Sequence, residues 1–263
     1  MNCQGPDGID WTDWTWNPVT GCWGPGGTPE EPRWCPHCYA KKMAEGRLRG
    51  RAGYDAQQPF APTFHEDRLY EPVKEKRPSK IFVSSMGDLF GDWVPREWIK
   101  RVLDTVRWCN YRGIVVSKQG DQGETVLSTE WQIFQFLTQN PKRLAGFNPW
   151  PKNCWVGATA TGWAELTRAI DDLQMVDAPV RFVSCEPLLQ PIRLALPTKR
   201  RLDWAIIGAC SGRENWKRYP QLDHGQPPEH WVRGLTDDLH AAGARVWHKG
   251  NLKRGWLKEW PSE

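Results

Sequence analysis

The 263-residue chain has no apolar run that approaches the roughly 20 residues needed to span a bilayer. Its first ten residues, Met1–Asp10, are polar and include two glycines and a proline, a composition unlike that of an export signal. These two absences predict a protein without a membrane segment that works in a cytoplasm.

Strong charge of one sign, internal repeats and low-complexity tracts are also lacking. The 35 basic and 31 acidic residues give a net charge of +4, which permits a polyanionic partner without requiring one. No glycine-rich phosphate loop follows the first predicted strand, which argues against a Rossmann domain. Hydrophobic residues make up 39% and charged residues 25% of the chain, as in soluble globular proteins. We expect residues 1–263 to form a single domain.

Tryptophan and cysteine are abundant, with 18 and eight residues respectively. Several tryptophans lie beside charged residues, proline or glycine and would be able to stack on nucleobases, although packing of the core explains them equally well. In a chain of this length without an export signal, eight cysteines favour metal binding or chemistry over disulfides.

From residue 80 onward, short β-branched or aromatic segments alternate with amphipathic segments. The predicted strands are Lys80–Ser85, Trp131–Leu137, Asn153–Ala158, Val180–Ser184, Trp204–Gly208 and Arg245–Lys249. The predicted helices are Pro95–Cys109, Pro141–Leu144, Ala164–Met175 and Glu229–Ala242. This alternation predicts an α/β fold whose parallel sheet closes into a partial or complete (β/α) barrel, with a doubly wound open sheet as the alternative. Residues 113–129 interrupt the pattern and are predicted to be an insertion built as a hairpin.

Polar side chains follow most of the predicted strands at the point where each strand ends. They are Ser84, Ser85, Asp88, Thr159, Glu186, Cys210, Ser211, Glu214, His248 and Lys249. In parallel α/β folds, functional residues gather at the carboxyl ends of the strands. We therefore expect these side chains to line one cavity.

The loop at residues 22–38 holds three cysteines in a glycine- and proline-rich setting. Cys35 and Cys38 are separated by two residues, and Cys22 lies upstream with twelve residues between it and Cys35. The spacing allows a three-thiolate [4Fe–4S] cluster, a zinc site completed by Cys3 or His37, or unligated thiols. Spacing alone leaves iron–sulfur and zinc nearly equal. A further strand is predicted near Trp14–Val19, and the loop follows it directly. A cysteine loop after the first strand of a parallel barrel favours iron–sulfur, because zinc ribbons more often form small β-rich modules.

Two motifs of this region, WTWNPVTGC (Trp14–Cys22) and CPHCYA (Cys35–Ala40), resemble the phage Gp37/Gp68 family, which is radical-SAM-like and related to spore photoproduct lyase. Further matching segments are SSMGDLF (Ser84–Phe90), FLTQNPKRL (Phe136–Leu144), NCWVGAT (Asn153–Thr159), RFVSCEPLL (Arg181–Leu189), DWAIIGACSG (Asp203–Gly212) and VWHKGN (Val246–Asn251). The resemblance implies a partial TIM barrel with a [4Fe–4S] cluster that reductively cleaves S-adenosyl-L-methionine to a 5′-deoxyadenosyl radical. It also implies an external flavodoxin- or ferredoxin-like electron donor and, for a phage protein, the host cytoplasm.

The resemblance also assigns roles to individual residues. Cys22, Cys35 and Cys38 would ligate the cluster. Tyr39, Ser84, Ser85, Asp88, Thr159, Glu186, Ile207, Ser211 and Glu214 would contact S-adenosylmethionine, and Cys210, Glu186 and His248 are the candidate catalytic residues. Radical SAM proteins usually place three residues between the first two cysteines, so the longer segment 23–34 is a departure. The family often has an acidic residue where this chain has Cys210, whose thiol could instead donate a hydrogen atom to a substrate radical.

The expected substrate is a nucleobase or nucleoside, such as a hypermodified base of phage DNA, changed by radical isomerisation or by bond cleavage. The enzyme would then be an isomerase or a lyase. The alternative is a zinc-stabilised nucleic-acid-binding protein without catalysis.

Overall fold

The structure is a computed structural model that describes residues 1–5, 8–112, 116–118, 124–126, 132–194 and 201–261, with side chains outside 110–131. The strands are β1 Asn2–Cys3, β2 Trp14–Trp16, β3 Val19–Thr20, β4 Thr63–Phe64, β5 Lys80–Val83, β6 Val116–Lys118, β7 Glu124–Val126, β8 Ile133–Thr138, β9 Cys154–Thr159, β10 Val180–Cys185, β11 Trp204–Ile207 and β12 Arg245–His248. The α-helices are α1 Tyr39–Glu45, α2 Arg96–Arg112, α3 Trp163–Gln174, α4 Arg213–Trp216 and α5 Glu229–Ala241, and 3₁₀ turns cover Glu66–Arg68, Glu71–Lys74 and Pro141–Phe147.

Eight of these strands form one sheet in the order β1-β2-β5-β8-β9-β10-β11-β12. Only β1 runs antiparallel to its neighbour, while every other neighbouring pair is parallel. The strand order follows the chain without a reversal, which distinguishes the sheet from a doubly wound one. The predicted α/β fold with a mainly parallel sheet is therefore confirmed, and the sheet has the form of a partial barrel.

Contacts near the chain ends link the two edges of this partial barrel. The Asp10 carboxylate accepts hydrogen bonds from the Gly250 backbone at 2.8 Å and from the Lys258 ammonium at 2.5 Å. The Lys80 ammonium lies 4.2 Å from the ring centroid of Trp260. The segment after β12 therefore folds back toward the strands that begin the sheet.

The two faces of the sheet bury different side chains because successive residues of a strand point to opposite sides. The inner face carries an aromatic cluster formed by Trp11, Phe82, Trp155, Phe182, Trp204 and Trp247. The outer face packs aliphatic residues such as Ile81 and Val156 against helices α2, α3 and α5. Much of the abundant tryptophan thus fills the interior of the barrel.

The predicted strands and long helices from residue 80 onward agree with the structure to within about three residues at each boundary. The predicted helix at Pro141–Leu144 is a 3₁₀ turn that extends to Phe147. In the predicted insertion, β6 and β7 pair antiparallel as a hairpin requires, and the rest of residues 113–129 lies outside the described residues. Among the helices of the described ranges, none is long and apolar enough to cross a membrane.

Candidate functional site

A cavity of about 330 Å³ opens at the carboxyl ends of the parallel strands, beside the cysteine loop. Eleven of the fourteen residues predicted from the sequence to hold the cluster, bind cofactor or act in catalysis line it. They are Cys22, Cys35, Cys38, Tyr39, Ser84, Ser85, Asp88, Thr159, Glu186, Cys210 and Ser211. The structure therefore brings together most of the candidate site from segments that span nearly 200 residues of the chain.

Three predicted site residues do not line the cavity. Ile207 and His248 are register partners on β11 and β12, and both side chains belong to the outer, helix-covered face. His248 contacts the Thr236 hydroxyl of α5 at 3.0 Å, and burial lowers its pKa to about 4. Glu214 lies on the exposed helix α4, where it forms an ion pair with Lys217 at 2.9 Å. Strand alternation and exposure are the physical reasons why these three side chains lie outside the cavity.

Lys249 takes the place that His248 was expected to hold. It is the next residue along the chain, points to the inner side, and donates a hydrogen bond to the Glu186 carboxylate. Gly208 directly follows β11, the strand between them. A Cβ atom on it would approach Cγ of Glu186 to 2.9 Å, so the glycine leaves room for the pair. Lys249 is the one lysine or arginine that lines the cavity within the described part of the chain.

Asp88 joins the ends of β5 and β8 at the cavity wall. Its carboxylate accepts hydrogen bonds from the Thr138 hydroxyl at 2.7 Å and from the Gln139 backbone N–H at 2.9 Å. The Phe90 backbone N–H donates to it at 3.0 Å. Burial nevertheless raises the pKa of Asp88, because desolvation of the charged carboxylate outweighs these donors.

The turn that follows β5 has an unusual backbone. Ser84 has a φ of +59°, in the left-handed region that side-chain-bearing residues rarely adopt. Its buried hydroxyl has no hydrogen-bond partner within the described residues. Asn17 holds the turn by accepting the Met86 backbone N–H at 2.9 Å, and the Tyr39 hydroxyl donates to the Ser85 carbonyl. A strained residue with an unsatisfied buried hydroxyl at a cavity is typical of a ligand-binding turn.

Each cysteine sulfur of the loop accepts a hydrogen bond from an N–H group. The Gly24 backbone donates to Cys22 at 3.1 Å, and the Lys41 backbone donates to Cys38 at 3.4 Å. The Gln139 side-chain amide donates to Cys35 at 3.1 Å. Hydrogen bonds to the sulfurs are one of the features that tune an iron–sulfur cluster.

The thiols of the loop lie in a desolvated and mutually repulsive setting. Burial raises the pKa values of Cys22, Cys35 and Cys38, and the charges of neighbouring cysteines raise those of Cys22 and Cys35 further. All three cysteines are free. They are therefore thiols at neutral pH unless a metal displaces their protons, which is how thiolate ligands bind metals.

Within the described residues, no group of three or more histidine, cysteine or carboxylate side chains has the spacing to hold a single metal ion. A zinc ion with bonds of about 2.3 Å to sulfur requires its thiolates to lie within roughly 4 Å of one another. Cys3, one proposed fourth zinc ligand, is exposed on β1, and His37 Nδ1 contacts the Tyr219 hydroxyl at 2.9 Å. The three thiols of the loop line one cavity, and each accepts a hydrogen bond from its own N–H donor, which is the ligand chemistry that iron–sulfur clusters use.

Gln139 is a residue of this site that the sequence prediction did not assign to the cysteines. It follows β8 and reaches across 104 residues of sequence to Cys35. The only sequence signal for it was its place after a predicted strand. Its contact with a particular cysteine depends on the path of the loop, which no local pattern specifies.

Together these features define an α/β partial barrel with a thiol-lined cavity at the carboxyl ends of its strands. Residues 7–256 match the family described as a protein of unknown function, DUF5131, and the chain belongs to this family. That description contains no phage name, so the expected resemblance to phage Gp37/Gp68 proteins stays a prediction.

Two solved structures of spore photoproduct lyase are similar to this chain. A cysteine-to-serine mutant of that enzyme has a TM-score of 0.48 at 10% identity, covering 94% of this chain and 81% of the lyase. The enzyme complexed with dinucleoside spore photoproduct has a TM-score of 0.45 at 8% identity, covering 88% and 75%. No curated protein matches the sequence significantly.

Proposed function

We propose that this protein is a radical S-adenosylmethionine enzyme that acts on a nucleobase or nucleoside. The observation that carries the proposal is the meeting of three N–H-bonded cysteine sulfurs with the polar ends of β5, β9 and β10 in one cavity. Thiolate ligation suits an iron–sulfur cluster, and a cavity at the strand ends is where parallel barrels do their chemistry.

When bound, a [4Fe–4S] cluster would supply the electron that cleaves S-adenosylmethionine to methionine and a 5′-deoxyadenosyl radical, with an external flavodoxin- or ferredoxin-like donor as its source. Cys22, Cys35 and Cys38 would hold the cluster, leaving one iron without a protein thiolate. The N–H donors from Gly24, Gln139 and Lys41 would stabilise the negative charge on the three sulfurs.

The cavity wall offers separate polar groups for the two ends of S-adenosylmethionine. Ser84, whose hydroxyl has no partner among the described residues, and the neighbouring Ser85 would contact its amino-acid end. The Asp88 carboxyl group would lie near the amino group at this end of S-adenosylmethionine. Its hydrogen bonds to Thr138 and Gln139 fix its position. Thr159 and Ser211 line the cavity farther along the strand order and would contact the sugar.

After the 5′-deoxyadenosyl radical has taken a hydrogen atom from the substrate and become 5′-deoxyadenosine, Cys210 would give a hydrogen atom to the substrate radical. The thiyl radical left on Cys210 would be restored to the thiol by an electron from the external donor and a proton from solvent. The Cys210 side chain lines the cavity, and burial raises the pKa of its thiol, so the S–H bond is intact at neutral pH. Glu186, held by Lys249, would orient the substrate beside it. Hydrogen return from Cys210 completes either an isomerisation or a bond cleavage of the substrate radical, so isomerase and lyase outcomes share the same residues.

The test is anaerobic reconstitution with iron and sulfide, followed by incubation with S-adenosylmethionine, dithionite and candidate nucleosides or DNA. We expect a brown protein with about four irons per chain and formation of 5′-deoxyadenosine, detected by mass spectrometry. Stoichiometric zinc, no colour and no 5′-deoxyadenosine would refute the proposal and favour the zinc-stabilised nucleic-acid-binding protein.

A further inference from the structure

Two basic segments flank the mouth of the cavity on the side of the cysteine loop. We call them the basic rim, and they comprise Lys41, Lys42, Arg47, Arg49 and Arg51 in one segment and Arg213, Lys217 and Arg218 in the other. The first segment begins in α1, directly after Cys38, and the second forms α4, just after Cys210 and Ser211. Both segments therefore start from residues that line the cavity.

Side-chain contacts hold the two segments next to each other. The Asn215 side-chain amide of α4 donates to the His37 carbonyl at 3.5 Å, and the Tyr219 hydroxyl contacts Nδ1 of His37 at 2.9 Å. Lys217 lowers the pKa of Glu214 on α4, and the charge of Lys42 on α1 lowers it further, so Lys42 lies within electrostatic reach of α4. The two segments of the basic rim are thus neighbours where they leave the cavity, beside His37.

The positive charge of the whole chain is concentrated on this surface. Residues 41–51 and 213–218 contain eight basic and two acidic residues, whereas the rest of the chain contains 27 basic and 29 acidic residues. Seven of the eight basic side chains are exposed, and only Lys41 is partly buried. Within the described residues, two rim side chains form ion pairs with acidic side chains: Lys41 with Glu45 and Lys217 with Glu214. The remaining positive charge faces solvent.

An aromatic surface lies between the rim and the cavity. Trp34 lines the cavity, and its indole N–H is fixed by a hydrogen bond to the Cys22 carbonyl at 2.7 Å. The Lys41 ammonium lies 4.4 Å from the Trp34 ring centroid, and Trp23 packs beside the same ring with centroids 6.3 Å apart. Aromatic rings next to a basic groove are the combination that single-stranded nucleic acids bind, through base stacking and phosphate contacts.

We infer that the substrate base is part of a single-stranded polynucleotide whose phosphates lie on the basic rim while one base enters the cavity past Trp34. A cavity of about 330 Å³ admits one base but no duplex, so the base must be unstacked before it enters. The seven residues of α1 span about 10 Å, a length comparable to that of a few nucleotide steps. The inference rests on the proposed function only for the choice of a base as the group that enters.

The experiment measures binding of a fluorescein-labelled 20-nucleotide single-stranded DNA to the full chain by anisotropy between 50 and 200 mM salt, conditions in which phosphate contacts dominate. The variant K42E/R47E/R51E reverses three rim charges. The control variant K74E/K76E/R77E reverses three exposed charges that precede β5, at the opposite end of the barrel. We expect at least about tenfold weaker binding and a shallower salt dependence for the rim variant, and under twofold change for the control.

Turnover of a free nucleoside, measured in parallel, separates this inference from the proposed function. It is expected to be equal in both variants, because the rim contacts only the phosphates of a longer strand. Equal DNA affinity of wild type, rim variant and control, or no DNA binding by wild type at 50 mM salt, would overturn the inference even if 5′-deoxyadenosine forms. Duplex DNA and single-stranded RNA of the same sequence are measured in parallel. Tighter binding of the duplex than of either single strand would also overturn the inference.

Discussion

At the scale of single residues, Glu186 and Lys249 place an ion pair in the wall of a largely apolar cavity. Their side chains are only 19% and 17% exposed, so removing either partner leaves the other charge poorly solvated. The ion pair therefore fixes the position of both side chains in the cavity wall. Its contribution is best judged by comparing single and double substitutions.

We predict that Glu186→Gln and Lys249→Met each lower substrate turnover roughly 10- to 100-fold, because a misplaced charge disturbs substrate orientation. The double variant should lose no more than the worse single variant, since neither charge is then left alone. Steady-state turnover at constant iron content is the measurement, with the exposed Lys253→Met as the control. If the loss of turnover in the double variant equals the two single losses combined, Glu186 and Lys249 act independently and the prediction is wrong.

The second prediction at this scale concerns the Cys210 thiol, whose hydrogen exchanges with solvent. In D₂O, wild-type product should carry deuterium at the position of the returned hydrogen, as measured by mass spectrometry. Cys210→Ala should retain its iron and its ability to form 5′-deoxyadenosine while losing this deuterium. Deuterium incorporation that is unchanged in Cys210→Ala would show that another group supplies the hydrogen.

At the scale of elements, His248 links β12 to α5 through a single neutral tautomer. Thr236 donates its hydroxyl hydrogen to the Val232 carbonyl and so accepts from Nε2–H of His248. Nδ1 then accepts the Trp256 and Leu257 backbone N–H groups at 3.2 and 3.4 Å. Burial is the main cause that lowers the pKa of His248, and the charge of Lys258 lowers it further. A proton on Nδ1 would also face the two N–H donors that this nitrogen accepts.

The pKa of about 4 for His248 in the folded protein lies below the ordinary histidine value of about 6.5. Between these values the unfolded chain binds the proton more readily, so the free energy of unfolding is highest above pH 6.5 and falls as the pH drops toward 4. We predict that His248→Asn flattens this fall, as measured by urea unfolding at pH 7 and pH 5. The same substitution at exposed His230 should leave the pH dependence as in wild type.

Close packing inside the barrel gives another prediction at the scale of elements. Gly157 lies on β9, and a Cβ atom there would come within 2.7 Å of the Phe182 ring on β10. Gly157→Ala should therefore lower the free energy of unfolding by about 1–3 kcal/mol, as overpacked cores do. Gly5→Ala, which meets nothing within 4 Å, is the control for chemical denaturation. Equal free energies of unfolding for Gly157→Ala and Gly5→Ala would contradict the close packing of Phe182 against Gly157.

The elements themselves were largely predictable because their hydrophobic patterns are local. Strand alternation also predicts which of His248 and Lys249 faces the cavity. Trp247 points inward, so Lys249 shares its face and His248 points to the opposite face. The contact of Gln139 with Cys35 was not predictable, because it depends on how a loop 104 residues away folds over the strand ends. The position of Glu214 was not predictable for a related reason, since the short helix α4 places it in solvent.

At the scale of the whole molecule, the partial barrel brings residues from opposite ends of the chain to one opening. The cysteine loop and the turn after β5 form one side of the cavity, and the ends of β10, β11 and β12 form the other. Contacts between Asp10 and the segment after β12 help to hold these sides at a fixed separation. The cavity therefore depends on the sheet as a whole, and the proposed chemistry depends on the three cysteines that line it.

The most direct test of the account is the iron and sulfide content of anaerobically reconstituted wild type, C22S, C35S, C38S and the exposed-cysteine control C3S. We predict about four irons and four sulfides per chain in wild type and C3S, with the absorption of a [4Fe–4S] cluster, and a loss of most of both in each of the other three. Retention of a full cluster by C22S, C35S or C38S, or zinc in place of iron in wild type, would contradict the central claim.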